Sequence, residues 1–133
     1  MRFNRSQIDQ QAQLLVAKLF REQHVDIPMS NRGSVTKAIA KIVRNYLSDL
    51  AELESDARQI CIDNGIENEP GAFKRALHML SDKQDFPLED SAITLINRNI
   101  QEFLWNSDEI EEIYSDEEQL VRIVRPFLMA MTR

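Results

Sequence analysis

The spacing of the apolar residues constrains this chain more than any other feature. Ile8, Ala12, Leu15, Val16 and Leu19 recur every three or four positions, which is the period of one face of an α-helix. Apolar residues return at this spacing in later segments of the chain, at 35–47, 50–64, 70–80, 87–104 and 115–128. The sequence therefore predicts six helices and an all-α fold.

Candidate caps mark where the first and the last helix begin. Asn4 is a suitable cap for the first helix, because its side chain can accept a hydrogen bond from a free N–H group. Ser115 and Glu118 have the spacing of a capping box for the last helix. Pro126 falls inside the apolar pattern of that helix and lacks an N–H group, so we expect a kink or an early end there.

Other residues mark the connections between helices. Ser48 and Asp49 are interpreted as a break between the second and the third helix, and Gly65 is a good C-terminal stop for the third. Val25–Ile27 and Ile110–Ile113 alternate weakly between apolar and polar residues. This pattern leaves two alternatives, irregular loops or a tiny two-stranded ribbon.

Two parts of the chain are similar to each other. AKIVRNYL at 40–47 matches VRIVRPFL at 121–128, although chance similarity between amphipathic helices would also explain the match. Taken as a repeat, the pattern predicts a helical bundle of two repeated helical hairpins joined by short helices. Residues 1–66 then form the first helical repeat. Residues 67–133 form a linking helix and a second, truncated repeat, and both repeats share one core.

Composition narrows the class of protein. Cys61 is the single cysteine among the 133 residues, so an internal disulfide cannot form, which fits a reducing compartment. The polar start MRFNRSQIDQQ lacks the apolar segment of a signal peptide. The apolar runs are also far too short to span a membrane. We expect a cytoplasmic protein without membrane association.

A basic stripe stands out against the net charge of −6. Lys37, Lys41 and Arg44 lie at i, i+4 and i+7 on one side of the second predicted helix, and Arg32 precedes them. This pattern is the electrostatic footprint of a helix that contacts nucleic acid. A pI near 4.9 and the lack of an aromatic residue in the stripe favour a solvated face instead.

The residues that carry chemistry in other proteins do not form a recognisable site. His24, His78 and Cys61 lack the spacing of metal ligands, and the sequence contains no phosphate-binding glycine motif or serine nucleophile motif. Seven acids crowd positions 108–118 without the glycine of a calcium loop. That segment is interpreted as a solvated turn or as an acidic docking strip. We expect no metal, no cofactor and no enzyme activity.

Apolar residues near the C-terminal end are candidates for a partner surface. The second repeat offers only MAMTR after Phe127 and Leu128, so apolar surface around these residues, Met129 and Met131 is left uncovered if the tail does not fold back. Trp105 lies where the fifth predicted helix runs into the acidic segment. It is either a covered core residue or an interface anchor.

Several segments carry a family resemblance: the MRF start, Ile8, Leu15, Leu19, Val25, the helix VTKAIAKIVRNYL and the following LAELESDAR. Their order and spacing resemble a bacterial group of uncharacterised helical proteins, domain-of-unknown-function family five hundred and seven. The chain is similar to members that carry two copies of the unit. The resemblance implies a helical fold and brings no activity with it.

These observations favour a non-catalytic interaction or regulatory module. The expected partner is another protein or a second copy of the chain. The alternative is a nucleic-acid-associated protein that uses the basic stripe, whose affinity would fall steeply as salt rises.

Overall fold

The computed structural model describes residues 2–132. Within this range the chain forms five α-helices, one 3₁₀ helix and one two-stranded ribbon. In chain order the elements are α1 (Arg5–Arg21), β1 (Val25–Asp26), the 3₁₀ helix (Met29–Asn31), α2 (Arg32–Asp63), α3 (Ala72–Gln84), α4 (Asp90–Asn106), β2 (Glu112–Ile113) and α5 (Glu117–Ala130). The prediction of an all-α fold is confirmed.

The second and third predicted helices are one helix. α2 runs without interruption from Arg32 to Asp63, so the predicted break at Ser48 and Asp49 is wrong. Both residues are exposed, and neither blocks a helical backbone as proline does, so their weak preference for turns is overridden. Gly65 follows the end of α2 with a φ of 67°, as its role of C-terminal stop requires.

Three helices end in the same hydrogen-bonded arrangement. After α1, α2 and α3 a residue with positive φ reverses the chain: Gln23 at 61°, Gly65 at 67° and Asp85 at 52°. The next N–H group donates to the carbonyl five residues earlier, at 3.0, 2.9 and 2.9 Å respectively. This is the Schellman motif, in which glycine is the usual residue at the positive-φ position.

The chain divides into two compact units. Unit 1 contains the residues up to Val43 and those from Glu89 onwards, and unit 2 contains Arg44–Leu88. The first boundary lies inside α2, and the second lies just before α4. The predicted boundary at 66/67 therefore falls inside unit 2, while the assignment of two sequence repeats stays a prediction.

Unit 1 builds its core from both ends of the sequence. α5 packs against α1 and against α4, and α1 also contacts β1. The largest fully buried side chains within residues 2–132 all belong to this unit: Ile8, Leu15, Leu19, Ile27, Ile39, Ile93, Ile96, Ile100, Leu104, Leu120, Leu128 and Met131. Burying such aliphatic side chains contributes roughly 1.5–3 kcal/mol each.

The last turns of α5 and the residue that follows them pack into the core of unit 1. α5 continues past Pro126 to Ala130, so the predicted early end at Pro126 is wrong. The missing N–H group leaves only the Arg122 carbonyl without its helical partner, and both residues are exposed, so water can replace that bond. Met131 is fully buried, and its carbonyl accepts a hydrogen bond of 2.6 Å from the N–H group of Asn4.

The weakly alternating segments form the ribbon. β1 and β2 pair antiparallel, with Val25 opposite Ile113 and Asp26 opposite Glu112. The N–H group of Tyr114 extends the pairing by donating to the carbonyl of residue 24 at 2.9 Å. The ribbon thus joins the connection that follows α1 to the connection that precedes α5, within unit 1.

The start of α5 differs by one residue from the prediction. Asp116 is the N-cap, and its carboxylate accepts a hydrogen bond of 2.8 Å from the N–H group of Gln119. The Ser115 hydroxyl instead lies 2.8 Å from Nδ1 of His24. The predicted capping box of Ser115 and Glu118 is therefore wrong, because a distant histidine takes the serine hydroxyl. At α1 the predicted cap is confirmed, since Asn4 accepts from the Ser6 N–H group at 3.1 Å.

Two polar residues lie in the core of unit 1. Asn97 Nδ2 donates to the Val121 carbonyl of α5 at 2.9 Å, and Gln101 Nε2 donates to Asn97 Oδ1 at 3.1 Å. Both side chains are buried, and Gln101 Oε1 lacks a hydrogen-bond partner among residues 2–132. This pair fixes α4 against α5, because sliding either helix would leave more buried polar atoms unpaired.

Unit 2 has a core of smaller side chains. Its buried cluster consists of Leu53, Ala57, Cys61, Ala72, Ala76 and Leu80. At one side the Tyr46 hydroxyl donates to the Pro87 carbonyl at 2.7 Å, and the Tyr46 ring stacks on Phe86 with centroids 5.1 Å apart. Burial, and then the charge of Glu54, raises the pKa of Tyr46 to about 12.

Candidate binding cleft

Arg32 is held in place by the turn that leads into α2. Pro28 and the 3₁₀ helix reverse the chain after β1, which brings Arg32 back towards the end of α1. Its Nε donates to the Ile27 carbonyl at 3.0 Å. Its guanidinium carbon lies 3.7 Å from the centroid of the Phe20 ring, close enough for a strong cation–π contact. The half-buried guanidinium is thus fixed on two sides.

An open cleft of about 550 Å³ lies beside this arginine, in unit 1. We call it the Arg32 cleft; its lining residues are Phe20, Gln23, Val25, Asp26, Ile27, Arg32 and Tyr114. The volume falls within the range of about 300–1,000 Å³ that small-molecule sites occupy. Its lining mixes the aromatic rings of Phe20 and Tyr114 and two aliphatic residues with the polar side chains of Gln23, Asp26 and Arg32.

Arg32 makes no ion pair with any other residue that the structure describes. Among residues 2–132, neither a carboxylate within 4.0 Å of Arg32 nor a hydrogen bond from its Nη atoms is found. Elsewhere exposed charges do pair, as Lys18 does with Glu22 at 3.0 Å. A half-buried guanidinium without a counter-ion retains capacity for an anionic group.

Tyr114 contributes an aromatic ring and a hydroxyl group to the cleft. The side chain is 59% exposed and follows directly after β2. Partial desolvation, and then the carboxylates of Glu112 and Asp26, raise the pKa of the Tyr114 hydroxyl above its ordinary value. At neutral pH the hydroxyl is protonated, as in any tyrosine, and can donate a hydrogen bond.

The four residues of the predicted basic stripe lie in different surroundings. Lys37 and Lys41 are exposed on α2, and no ion pair of either is found among residues 2–132. Arg44 is exposed as well, but it belongs to unit 2 and makes an interaction of its own. Arg32 lies against Phe20 at the Arg32 cleft. The structure therefore separates Arg32 from the other three by position, since it alone of the four contacts Phe20 and lines the cleft.

The predicted apolar surface near the C-terminal end is largely covered. Leu128 and Met131 are fully buried, so the expectation that they are uncovered is wrong. The tail folds back on the core of unit 1, as the hydrogen bond between residues 4 and 131 shows. Phe127 and Met129 are half-buried. Trp105 is 48% exposed, so its interpretation as a covered core residue is wrong and the interpretation as an interface anchor stays a prediction.

The other chemical candidates are dispersed. His24 binds Ser115, His78 is exposed on α3, and Cys61 is buried in the core of unit 2. Within residues 2–132, no group of three His, Cys, Asp or Glu side chains is placed to hold a metal ion. The acidic segment 108–118 is partly structured, since it contains β2 and the cap of α5.

Sequence reasoning missed most of the Arg32 cleft. Phe20 fits the apolar pattern of α1, and Asp26 and Tyr114 are single polar or aromatic residues without a motif. The antiparallel register of the ribbon is what brings residue 114 to the turn after α1. The proline at 28 followed by Arg32 was a weak signal, because a turn there returns the arginine to α1.

Comparison with known families decides the classification. The family described as "Protein of unknown function (DUF507)" matches residues 1–133. The chain belongs to this family. The match covers the whole sequence, so the resemblance drawn from the residues is confirmed. Among curated proteins, no match to the chain was found.

The DUF507 family description assigns no activity, so the functional argument depends on the geometry of the Arg32 cleft. None of the helices within residues 2–132 has the length and apolar character needed to cross a bilayer.

Proposed function

We propose that this DUF507 chain is a non-catalytic interaction module that binds a partner protein at the Arg32 cleft. The observation that carries the proposal is the guanidinium of Arg32, fixed 3.7 Å over Phe20 beside an open volume of about 550 Å³. Arginine and aromatic residues are the groups that contribute most to protein interfaces.

The groups in the cleft support recognition rather than reaction. Phe20 and Tyr114 supply aromatic surface, Arg32 supplies fixed donors, and Asp26 supplies an acceptor. A reaction would need a nucleophile or an acid–base pair within hydrogen-bond reach of each other. Asp26 and Tyr114 are titratable lining residues, but no hydrogen bond joins them within residues 2–132, and the lining contains no serine, cysteine or histidine. The absence of enzyme activity is therefore part of the proposal.

The exposed apolar residues add to this surface. Met29, in the 3₁₀ helix that immediately precedes Arg32, is 78% exposed, and Tyr114 is 59% exposed. Methionine adapts to different partner surfaces, and tyrosine adds contact area with little loss of conformational entropy.

Site-specific cross-linking in the native cell tests the proposal. A photoreactive amino acid replaces Gln23, which lines the cleft, or Gln13, an exposed residue of α1 outside it. We expect a discrete adduct at Gln23 that is absent at Gln13, and mass spectrometry identifies the cross-linked protein. An adduct of twice the chain mass would identify a second copy as the partner.

Titration of the purified partner completes the test. Tyr114→Ala should weaken binding by about tenfold or more, because an aromatic anchor is removed, whereas Gln13→Ala should not change it. Equal affinity of the two variants, or equal cross-linking at both positions, would contradict the proposal.

Nucleic-acid binding is the second candidate, supported by Lys37 and Lys41, which are exposed and form no ion pair within residues 2–132. Removing one phosphate-binding lysine should reduce the salt dependence of binding by about one unit of slope in log affinity against log salt. Lys37→Glu combined with Lys41→Glu should abolish retention on DNA or RNA, and Lys74→Glu with Lys83→Glu on α3 is the matched control. Salt-independent or absent retention of the unchanged chain would rule this candidate out.

A further inference from the structure

We infer that the Arg32 cleft recognises a carboxylate of the partner, either an acidic side chain or a C-terminal carboxylate. This inference rests on the proposed function and names the chemical group that the site takes. The Nη atoms of Arg32 and the hydroxyl of Tyr114 are the donors. The two nitrogens of a guanidinium edge match the two oxygens of a carboxylate, which favours a bidentate pair.

The geometry of Arg32 prepares it for such a pair. Nε is already used by the Ile27 carbonyl, and one face of the guanidinium covers Phe20, so the Nη edge is the part left for a ligand. Because the side chain is fixed in advance, binding costs less conformational entropy than it would at a free surface arginine. Arg21 provides the contrast, since its guanidinium lies 5.7 Å from the same ring and does not line the cleft.

The surrounding charges favour a singly charged ligand over a phosphate. Asp26 lines the cleft, and Glu112 lies close enough to Tyr114 to raise its pKa. Two nearby carboxylates repel a phosphate dianion more strongly than a monoanion. Arg32 and Asp26 are the charged lining residues, so the donors of Arg32 suit a ligand that carries no more than one negative charge. The site therefore fits a carboxylate, and the acidic side chains limit how much additional negative charge the partner can bring.

Tyr114 adds a donor that discriminates between ligands. Its hydroxyl is protonated at neutral pH, as in any tyrosine, so it can donate to an anionic oxygen. A carboxamide of the same shape presents one oxygen and an NH₂ group that opposes the Arg32 donors. Replacing carboxylate by amide should therefore weaken binding by about 10- to 100-fold, the effect expected for removal of a charge-assisted hydrogen bond.

Small probes on the full-length chain test the inference. N-acetylphenylalanine presents a C-terminal-type carboxylate, and N-acetylglutamate α-amide presents a side-chain carboxylate. Their neutral controls are N-acetylphenylalanine amide and N-acetylglutamine α-amide, and inorganic phosphate is the third class. NMR titration follows the Nε–H signal of Arg32 and the backbone signals of Tyr114 and Gln23.

We expect saturable shifts at these signals with one or both carboxylates, lower affinity for phosphate, and an affinity for the amides about 10- to 100-fold below that for the carboxylates. The stronger of the two carboxylates identifies the source, a chain end or an acidic side chain. Shifts that are equal for carboxylate and amide, absent for all probes, or larger with phosphate would overturn the inference.

Variants separate the role of Arg32 from a general effect of charge. Arg32→Gln should abolish the shifts, whereas Arg21→Gln removes the same charge beside the same ring and should leave them. Tyr114→Phe should weaken carboxylate binding by about 3- to 10-fold, since it removes one hydrogen-bond donor. Because this side chain is exposed, the variant should fold normally, so an unchanged affinity would count against the inference.

Asp26→Asn should strengthen carboxylate binding, because it removes a repelling charge next to the ligand. A carboxylate affinity that decreases in this variant would show that Asp26 supports the site and does not repel the ligand, which contradicts the inference. Failure of these probes combined with a cross-linked partner at Gln23 would leave the proposed function standing and reject only the carboxylate.

Discussion

The two units of the molecule differ in how deeply they bury side chains. Unit 1 contains all of the largest fully buried side chains within residues 2–132, whereas the cluster of unit 2 contains three alanines, a cysteine and two leucines. Both units have amphipathic helices of similar pattern. The comparison shows that helical periodicity indicates which face is buried, but not how much apolar volume the core contains.

The units also differ in the number of sequence stretches that form them. Unit 2 is one continuous stretch, Arg44–Leu88, and unit 1 joins two stretches far apart in sequence. Unit 2 forms from residues that are near one another in sequence, so it can unfold locally while unit 1 stays folded. We expect it to open first. Unit 1 carries the Arg32 cleft, where the Phe20 ring and the Ile27 carbonyl hold the guanidinium.

Matched core truncations should give the largest difference between the units. Ile100→Ala in α4 removes a fully buried side chain and should lower the free energy of unfolding by about 3–5 kcal/mol. Leu80→Ala in α3 removes a side chain that is 8% exposed and should cost about 2 kcal/mol. Urea unfolding of the full chain measures both. Equal costs would contradict the difference in core packing.

A second test of the comparison uses the buried polar pair of unit 1, Asn97 and Gln101. Asn97→Leu leaves the buried amide of Gln101 with no partner and should destabilise the chain by about 1–3 kcal/mol. Adding Gln101→Met removes the remaining unpaired polar atoms and should recover most of that stability. A double-mutant cycle in urea gives the coupling, and strictly additive effects would show that the two amides do not act together.

Alkaline pH should lower the free energy of unfolding mainly through Tyr46 of unit 2. The pKa of Tyr46 is about 12 in the folded chain and about 10 when unfolded, so the unfolded chain binds fewer protons between these values. The stabilising effect is complete below pH 10 and should disappear between pH 10 and 12, by about 1–2 kcal/mol.

The matched variants for this prediction are Tyr46→Phe and Tyr114→Phe. Tyr46→Phe should flatten the decrease in stability over this pH range, and Tyr114→Phe should change it less, since Tyr114 is 59% exposed. Stability measured by urea at each pH tests both. A steeper decrease in the Tyr46→Phe variant would contradict the assignment.

Substitutions at the positive-φ positions of the helix ends should change the free energy of unfolding least. Gln23 occupies the positive-φ position of a Schellman motif at 61°, where a side chain is strained. Gln23→Gly should therefore raise the free energy of unfolding by about 0.5–1 kcal/mol. Asp85→Gly in unit 2 should gain less, because aspartate tolerates this conformation better. Thermal unfolding compares them, and a loss of stability on Gln23→Gly would contradict the interpretation.

The helical fold was predictable because its signals are local. The cap at Asn4 and the stop at Gly65 depend on residues within one turn, and both are found where the sequence places them. Ser48 and Asp49 gave a false break, because their preference for turns is weak compared with burial on either side. The ends at Gln23 and Asp85 carried no glycine to reveal them.

The candidate site was less predictable because its residues meet through tertiary structure. Arg32 was identified, but as part of a stripe with Lys37, since helical spacing says nothing of the ring at Phe20. Ser115 was assigned to a cap because His24 is distant in sequence. Met131 was expected at the surface, because the hydrogen bond from Asn4 that accompanies its burial joins opposite ends of the chain.

The central claim is that Arg32 is a fixed recognition group, and the NMR signal of its Nε–H group tests this most directly. Stacking at 3.7 Å on Phe20 and the hydrogen bond to the Ile27 carbonyl predict an upfield-shifted signal that exchanges slowly with water. Its assignment follows from its disappearance in Arg32→Lys. A signal at the position and exchange rate of a free arginine would contradict the account.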